Sequence, residues 1–320
     1  MCTVSDFIDK NFKHFNAATL TDAAQAYRKL IDDGGKMLVS IGGAMSTAEI
    51  GNTLAEMIYA QKVHAICCTG ANLEEDIFYA LRPNDYRRVA WKSASPFADA
   101  ALSTNGLYRV LDTCIPECAM DEMTSALDVE WQKAQFEQTA KFPHEYLFDA
   151  IRNKEFIPKH RSWVVAAMDC KIPIFVPCWT DSTLGNAFVA RVYSSIFSSS
   201  IMKTSTDYLM ALLDWYKDTR PNAPIGFFQI GGGIAGDFAL SAVPLINQEL
   251  ASLDSTVVKY PLWSYFCNIT DAVESYGGYS GAGGSEKISW AKLERSTPMF
   301  TINSDATIVA PLIFAYVMGW

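Results

Sequence analysis

Short apolar runs alternate along this chain with longer stretches whose apolar positions recur every three or four residues, the pattern of a parallel α/β architecture. Residues 36–41 (KMLVSI) predict a buried strand. Ser46 then opens a predicted helix, with Glu49 completing a capping box and Ala48, Leu54, Ala55, Ile58 and Tyr59 facing inward. Further strands are predicted at 63–68, 172–176, 225–230, 257–267 (despite Pro261) and 299–302, and helices at 73–81, 121–141, 207–217, 238–250 and after Asp305. No internal repeat or low-complexity linker interrupts the pattern. The chain reads as a single domain over 1–320, with 1–34 as an N-terminal helical extension.

Half of the 320 residues are apolar and only 19% are charged, ample for a large core and more consistent with an oligomer than a monomer. The net charge of −9 argues against nucleic acid and anionic membrane surfaces, and suits a cationic ligand such as a polyamine. Residues 1–15 carry no signal-peptide pattern, and the apolar stretches at 163–179 and 308–320 are too short or too interrupted to span a bilayer, so a cytoplasmic location is expected. The eight cysteines are expected to be reduced. The histidines (His14, His64, His144 and His160) form no metal-ligand pair, and no metal site is expected.

In open parallel sheets, ligands sit beyond the carboxyl ends of the strands. There the chain places Gly42-Gly43-Ala44-Met45-Ser46, Thr69-Gly70-Ala71-Asn72, Pro177-Cys178-Trp179-Thr180-Asp181-Ser182 and Gly231-Gly232-Gly233-Ile234-Ala235-Gly236. Four small or glycine-rich loops in this series suit the backbone's close approach to a phosphate-bearing cofactor. Gly231-x-Gly233-x-x-Gly236 matches the dinucleotide fingerprint and follows a strand, although glycines that pack a helix onto a sheet explain it almost as well. Glu74-Glu75-Asp76 opens a predicted helix, where acidic residues complement the helix dipole or bind a cation or ribose. The glycine-rich stretch at 275–284 leads into Glu286-Lys287-Ile288-Ser289-Trp290-Ala291-Lys292. A lone lysine is ordinarily a solvated charge, and spacing alone gives Lys292 that reading. An aromatic neighbour can nevertheless hold an alkylamine, and a lysine shielded from water becomes nucleophilic.

Taken in order, Thr69-Gly70 with Leu73-Glu74-Glu75-Asp76, Thr180-Asp181-Ser182-Thr183-Leu184-Gly185, Gly231-Gly232-Gly233, Ser280-Gly281-Ala282 with Glu286, Ser289-Trp290-Ala291-Lys292 and Ser304-Asp305-Ala306 resemble the deoxyhypusine synthase family, closest to its bacterial deoxyhypusine synthase-like branch. The resemblance covers nearly the whole chain from Gly35. It implies a Rossmann-like three-layer fold, a homotetramer and bound NAD. It also implies transfer of an aminobutyl group from a polyamine donor such as spermidine, through a lysine imine. Lys292 would then be the covalent carrier, with Trp290 and Glu286 lining the polyamine pocket. Glu75, Asp181 and Asp305 would contact NAD, with Gly231, Gly232, Thr69 and Gly70 shaping its cleft and Ser46, Glu74, Thr270 and Ala306 on the cofactor side.

The chain also departs from the hypusine-forming enzymes. It has Asn186 for their aspartate and Asp237 for their histidine, and those enzymes have another aspartate near the position of Tyr279 and a Ser-Asn pair near that of Gly42-Gly43. Charge moved along the pocket moves the preferred place of a substrate ammonium. Asn186, Asp237 and Tyr279 are therefore expected on the substrate side. Transfer to a free diamine, as in homospermidine synthesis, stands beside transfer to a protein lysine, and agmatine stays open as a substrate. A non-catalytic paralogue that binds NAD and polyamine, and plain amine oxidation, are the remaining readings.

Overall fold

The computed structural model describes residues 3–90, 92, 95–152 and 161–320; His160 lies outside them. Among the described residues nine strands form two sheets: β1 (Lys36–Ile41), β2 (Ala65–Cys68), β3 (Arg87–Arg88), β4 (Leu107–Val110), β5 (Thr113–Pro116), β6 (Ile174–Phe175), β7 (Ile225–Ile230), β8 (Tyr265–Thr270) and β9 (Met299–Asn303). The main sheet has the order β6-β2-β1-β7-β8-β9, with every pairing parallel. After β1 the chain steps outward to β2 and β6, then crosses to the other side of β1 for β7, β8 and β9. The connections leaving β1 and β7 therefore diverge. They open a crevice at the carboxyl ends of those two strands, the topological switch point of a doubly wound sheet.

Helices cover both faces, so β2, β7 and β8 are buried along their whole length. Alternation along β7 shows how the layers form. Phe228 meets Tyr27 of the helix Phe15–Asp32 and Phe314 of the helix Ala306–Met318 on one face. On the other, Phe227 meets Trp263, which packs against Tyr216 of the helix Ser205–Thr219. The helix Phe15–Asp32 thus shares the main core, with Tyr27 fully buried and its hydroxyl donating to the Lys62 carbonyl. This helix–sheet–helix sandwich is the α/β three-layer class expected from the sequence.

Local chemistry explains where element boundaries moved. The helix expected from Ser46 begins at Gly51, because Glu49 takes a left-handed backbone (φ 58°) and Ser46 is engaged elsewhere. The Ser46 hydroxyl donates to the Asn72 carbonyl and accepts from the Trp163 indole N–H. The strand expected at 257–267 starts only at Tyr265, past Pro261, which cannot donate to a ladder. A small antiparallel sheet, β3-β5-β4, was not expected at all, since its strands of two to four residues are too short for a period to show.

Candidate functional site

Two cavities flank the turn Gly231-Gly232-Gly233 after β7. One, of about 1000 Å³, is the switch-point crevice. Its walls include Gly42–Met45 after β1, Gly231, Thr270 and Asp271 after β8, and 303–307 after β9, with Arg88 and 110–113 of the small sheet facing them. The other, of about 1040 Å³, is lined by Gly233, Asp237, Glu274, Tyr279, Glu286, Lys287, Trp290 and Lys292 among others.

The glycine turn stands between these spaces, Gly231 lining one and Gly233 the other. Gly231 (φ 70°) and Gly233 (φ 82°) occupy left-handed backbone that other residues adopt only under strain. Gly232 faces Ser280, and a Cβ there would stand 1.8 Å from the Ser280 hydroxyl oxygen. Gly236, in the helix Ile234–Leu240 that follows, leaves room for the Gln229 amide and the Tyr279 ring. Packing thus accounts for Gly232 and Gly236, while Gly231 lines the crevice.

A buried polar ladder holds the Tyr279 loop in place. Gln229 of β7 lies in register with Asn268 of β8 and donates to its side-chain oxygen at 3.0 Å. Asn268 donates to the Ser280 carbonyl at 3.1 Å, and the Tyr279 hydroxyl donates to Gln229 Oε1 at 3.1 Å. Nothing in the sequence reading singled out Gln229 or Asn268. Two amides inside otherwise apolar strand runs were the available signal, because buried polar groups need partners.

Lys292 is 8% exposed and its Nζ donates to Asp237 Oδ1 at 2.8 Å. The residue before it, Ala291, takes a left-handed backbone (φ 53°), an energetically costly conformation at a non-glycine position. The Lys292 ammonium lies 6.0 Å from the Tyr279 ring centre, and that of Lys287 lies 4.1 Å from it. Burial and the Asp237 charge raise the Tyr279 phenol well above its usual range. Burial, then the Lys292 charge, lowers the proton affinity of Lys287. Trp290 and Glu286 are exposed at the cavity mouth.

The expected substrate-side residues Asp237, Tyr279, Glu286, Trp290 and Lys292 thus share one cavity. Asn186 does not join them: it is exposed on the helix Thr183–Tyr193, which follows β6 at the far edge of the sheet. Of the expected cofactor-side residues, Gly231, Thr270, Asp305 and Ala306 line the crevice. Asp305 also caps the helix Ala306–Met318, accepting from the Thr307 N–H at 2.8 Å. Glu75 stands one residue behind the wall, accepting from the hydroxyl of Thr47, itself a crevice residue. Burial raises the Glu75 carboxyl, and that hydrogen bond partly offsets the rise.

The other positions lie outside the crevice lining. Glu74 is 2% exposed and accepts from the backbone N–H groups of Thr183 and Leu184, both at 2.7 Å. It caps a distant helix rather than its own. Asp76 does the same for the helix Trp163–Cys170, accepting from the Ser162 hydroxyl and the Val164 N–H. Burial pushes both carboxyls up to about 7. Thr69 caps the helix Gly70–Leu81, and Gly70 lets the 178–182 loop close down on it. Asp181 is exposed in that loop, and Ser46 is tied to Asn72. No cluster of three or more metal-binding side chains occurs among the described residues, nor any helix long and apolar enough to cross a membrane.

The fold is a doubly wound α/β sheet with a cavity on either side of one glycine turn, and a nearly buried lysine lines one of them. The sequence model of deoxyhypusine synthase matches residues 9–317, and the chain belongs to that family, a family of transferases. A deoxyhypusine synthase-like protein of Cyanothece is 27% identical, covering 99% of this chain and 79% of its own length. Probable deoxyhypusine synthase 1 of Archaeoglobus fulgidus is 24% identical, covering 95% and 90%. The structure of a protein from Entamoeba histolytica, proposed to be a deoxyhypusine synthase, shares the fold with a TM-score of 0.58 at 12% identity, over 98% of this chain and 92% of that one.

Proposed function

We propose that this chain is an aminobutyl transferase that uses Lys292 as the covalent carrier and holds NAD in the switch-point crevice. Family membership supports aminobutyl transfer from spermidine in general terms. The observation that carries the specific reading is a nearly buried lysine, paired with Asp237, on the cavity across the glycine turn from the crevice.

The crevice fits a dinucleotide. It lies at the upper end of the ~300–1,000 Å³ typical of ligand sites, and side chains are absent where Gly42, Gly43 and Gly231 line it. Thr270, Asp305 and Ala306 would hold the cofactor, with Arg88 opposite. Bound there, NAD would accept a hydride from the donor's carbon and later return it.

In the second cavity the chain's own groups position the amines. Four carboxylates (Asp237, Glu249, Glu274 and Glu286) share the lining with two lysines, and the Trp290 and Tyr279 rings offer faces to alkylammonium groups. Once neutral, the Lys292 amine attacks the imine carbon of the oxidised donor. A C–N bond forms to Lys292, the original C–N bond breaks, and the departing amine carries off the proton given up by Lys292. An acceptor amine reverses this step and takes the group. Asp237 accepts a hydrogen bond from Lys292 and keeps its Nζ directed into the cavity.

A small free diamine and a protein lysine both stand as the acceptor in this reading. Purified protein incubated with NAD and labelled spermidine, then reduced with borohydride, should carry an aminobutyl adduct on Lys292 that Lys292→Ala lacks. Adding putrescine before reduction should discharge the adduct. NADH without adduct would replace transfer by plain oxidation; neither NADH nor adduct would favour a non-catalytic binding protein. The homotetramer belongs to the same proposal, and sedimentation tests it.

A further inference from the structure

Lys287, next to Glu286 in the short helix Glu286–Ser289, is only 4% exposed and lines the Lys292 cavity. Its surroundings differ from those of Lys292. Lys292 has the Asp237 carboxylate at 2.8 Å. Among the described residues no hydrogen bond or ion pair engages the Lys287 ammonium, which lies over the Tyr279 ring, 4.1 Å from its centre. The Glu286 and Asp237 carboxylates act on it through space, but burial and Lys292 outweigh them. A shielded ammonium with no direct anionic partner is costly, and a ring face recovers only part of that cost.

A plain polyamine cannot supply what is missing, since it brings only more positive charge beside Lys287 and Lys292. The carboxylates of Glu249, Glu274 and Glu286 belong to exposed residues of the cavity and suit a ligand's ammonium end. The cavity is thus acidic at its exposed side and cationic at its shielded one, a complement to a zwitterion. We propose that Lys287 is a carboxylate-binding site, and that one of the amines meeting at Lys292 is an amino-acid-like compound with a primary amine at one end and a carboxylate at the other. A single ammonium under an acidic rim matches a monoanion better than a phosphate dianion. The lowered proton affinity of Lys287, caused by burial and by Lys292, agrees with a site awaiting its counter-ion.

This inference rests on the reading that amines bind in the Lys292 cavity, and the test keeps the two apart. Ornithine and putrescine differ only by the α-carboxylate, so their calorimetric binding is compared on wild type, Lys287→Met and Lys287→Arg. Wild type should bind ornithine more tightly. Lys287→Met should weaken ornithine about 10- to 100-fold, the range for a hydrogen bond to a charged group. Putrescine should be unchanged or tighter, and Lys287→Arg should keep the preference for ornithine. Putrescine binding as well as ornithine in wild type would overturn the proposal. So would an equal loss of both ligands in a folded Lys287→Met, or no ornithine binding at all. If Lys287→Met unfolds, wild type and Lys287→Arg decide. Spermidine trapping on Lys292 is scored separately: an adduct without ornithine preference refutes only this inference, and a Lys287-dependent preference without adduct refutes only the transferase reading.

Discussion

Adding a single methyl group at Gly232 tests whether the loop carrying Tyr279 is pressed against the glycine turn. A Cβ built there stands 1.8 Å from Ser280 Oγ, 2.3 Å from its Cβ and 2.6 Å from its Cα. Rotating the serine hydroxyl relieves only the first of these contacts, so the Ser280 backbone must move, stretching the Asn268–Ser280 hydrogen bond. Overpacking of this kind costs about 1–3 kcal/mol. For a chain of this length that is a fall in Tm of roughly 1.5 °C per kcal/mol, or about 2–5 °C in all. Gly278→Ala is the control: nothing lies within 4 Å of its Cβ, and its backbone (φ −76°, ψ 143°) suits any residue. That change should be neutral or stabilise by about 0.4–1 kcal/mol through the unfolded chain. Calorimetric scans of both variants, with Gly232→Ala/Ser280→Gly as a partial rescue, give three ordered values. A Gly232→Ala protein as stable as Gly278→Ala would refute the packing argument.

Other outcomes follow from the buried polar groups. Gln229→Leu removes the acceptor of the Tyr279 hydroxyl and the donor to Asn268. It should cost on the order of 1–3 kcal/mol by denaturant unfolding and weaken amine binding more than nucleotide binding; equal effects on both ligands would count against the ladder's role. Glu74, held up to about 7, binds its proton more tightly folded than unfolded. Its contribution is present at low pH and is lost as pH rises from about 4.5 through 7. The stability of wild type minus that of Glu74→Gln should therefore grow by on the order of 3 kcal/mol between pH 7.5 and pH 4.5. A difference that is flat with pH, or shrinks on acidification, would contradict this.

The main sheet was legible because its strands, apart from the edge strand β9, are buried along nearly their whole length. The runs 36–41 and 225–230 are so densely apolar that the expected strands coincide with β1 and β7. The loops after them were legible for a topological reason, since ligand sites in such sheets gather at carboxyl ends. Long-range side-chain choices were not. Glu74 and Asp76 sit at the start of a helix, where local logic assigns them to its dipole or to a ligand, yet they cap helices about 90 to 110 residues later in the chain. Ser46 shows the converse, a valid local capping pattern overridden by Asn72 and the Trp163 indole. Lys292 was singled out through the family resemblance, whereas Lys287 had the same surface appearance, and only burial separates it from a solvated charge.

The three-glycine turn has a further consequence for how such proteins diversify. It is an inner wall with no side chains to exchange, so substitution there can only thicken the wall and part the two chambers. New substrate preferences must be acquired on the outer walls, at positions such as Asp237, Tyr279 and Lys287, while the distance between the chambers stays as the main chain sets it. A lineage can thus change which ligands the Lys292 cavity takes without rebuilding the turn that stands between it and the switch-point crevice.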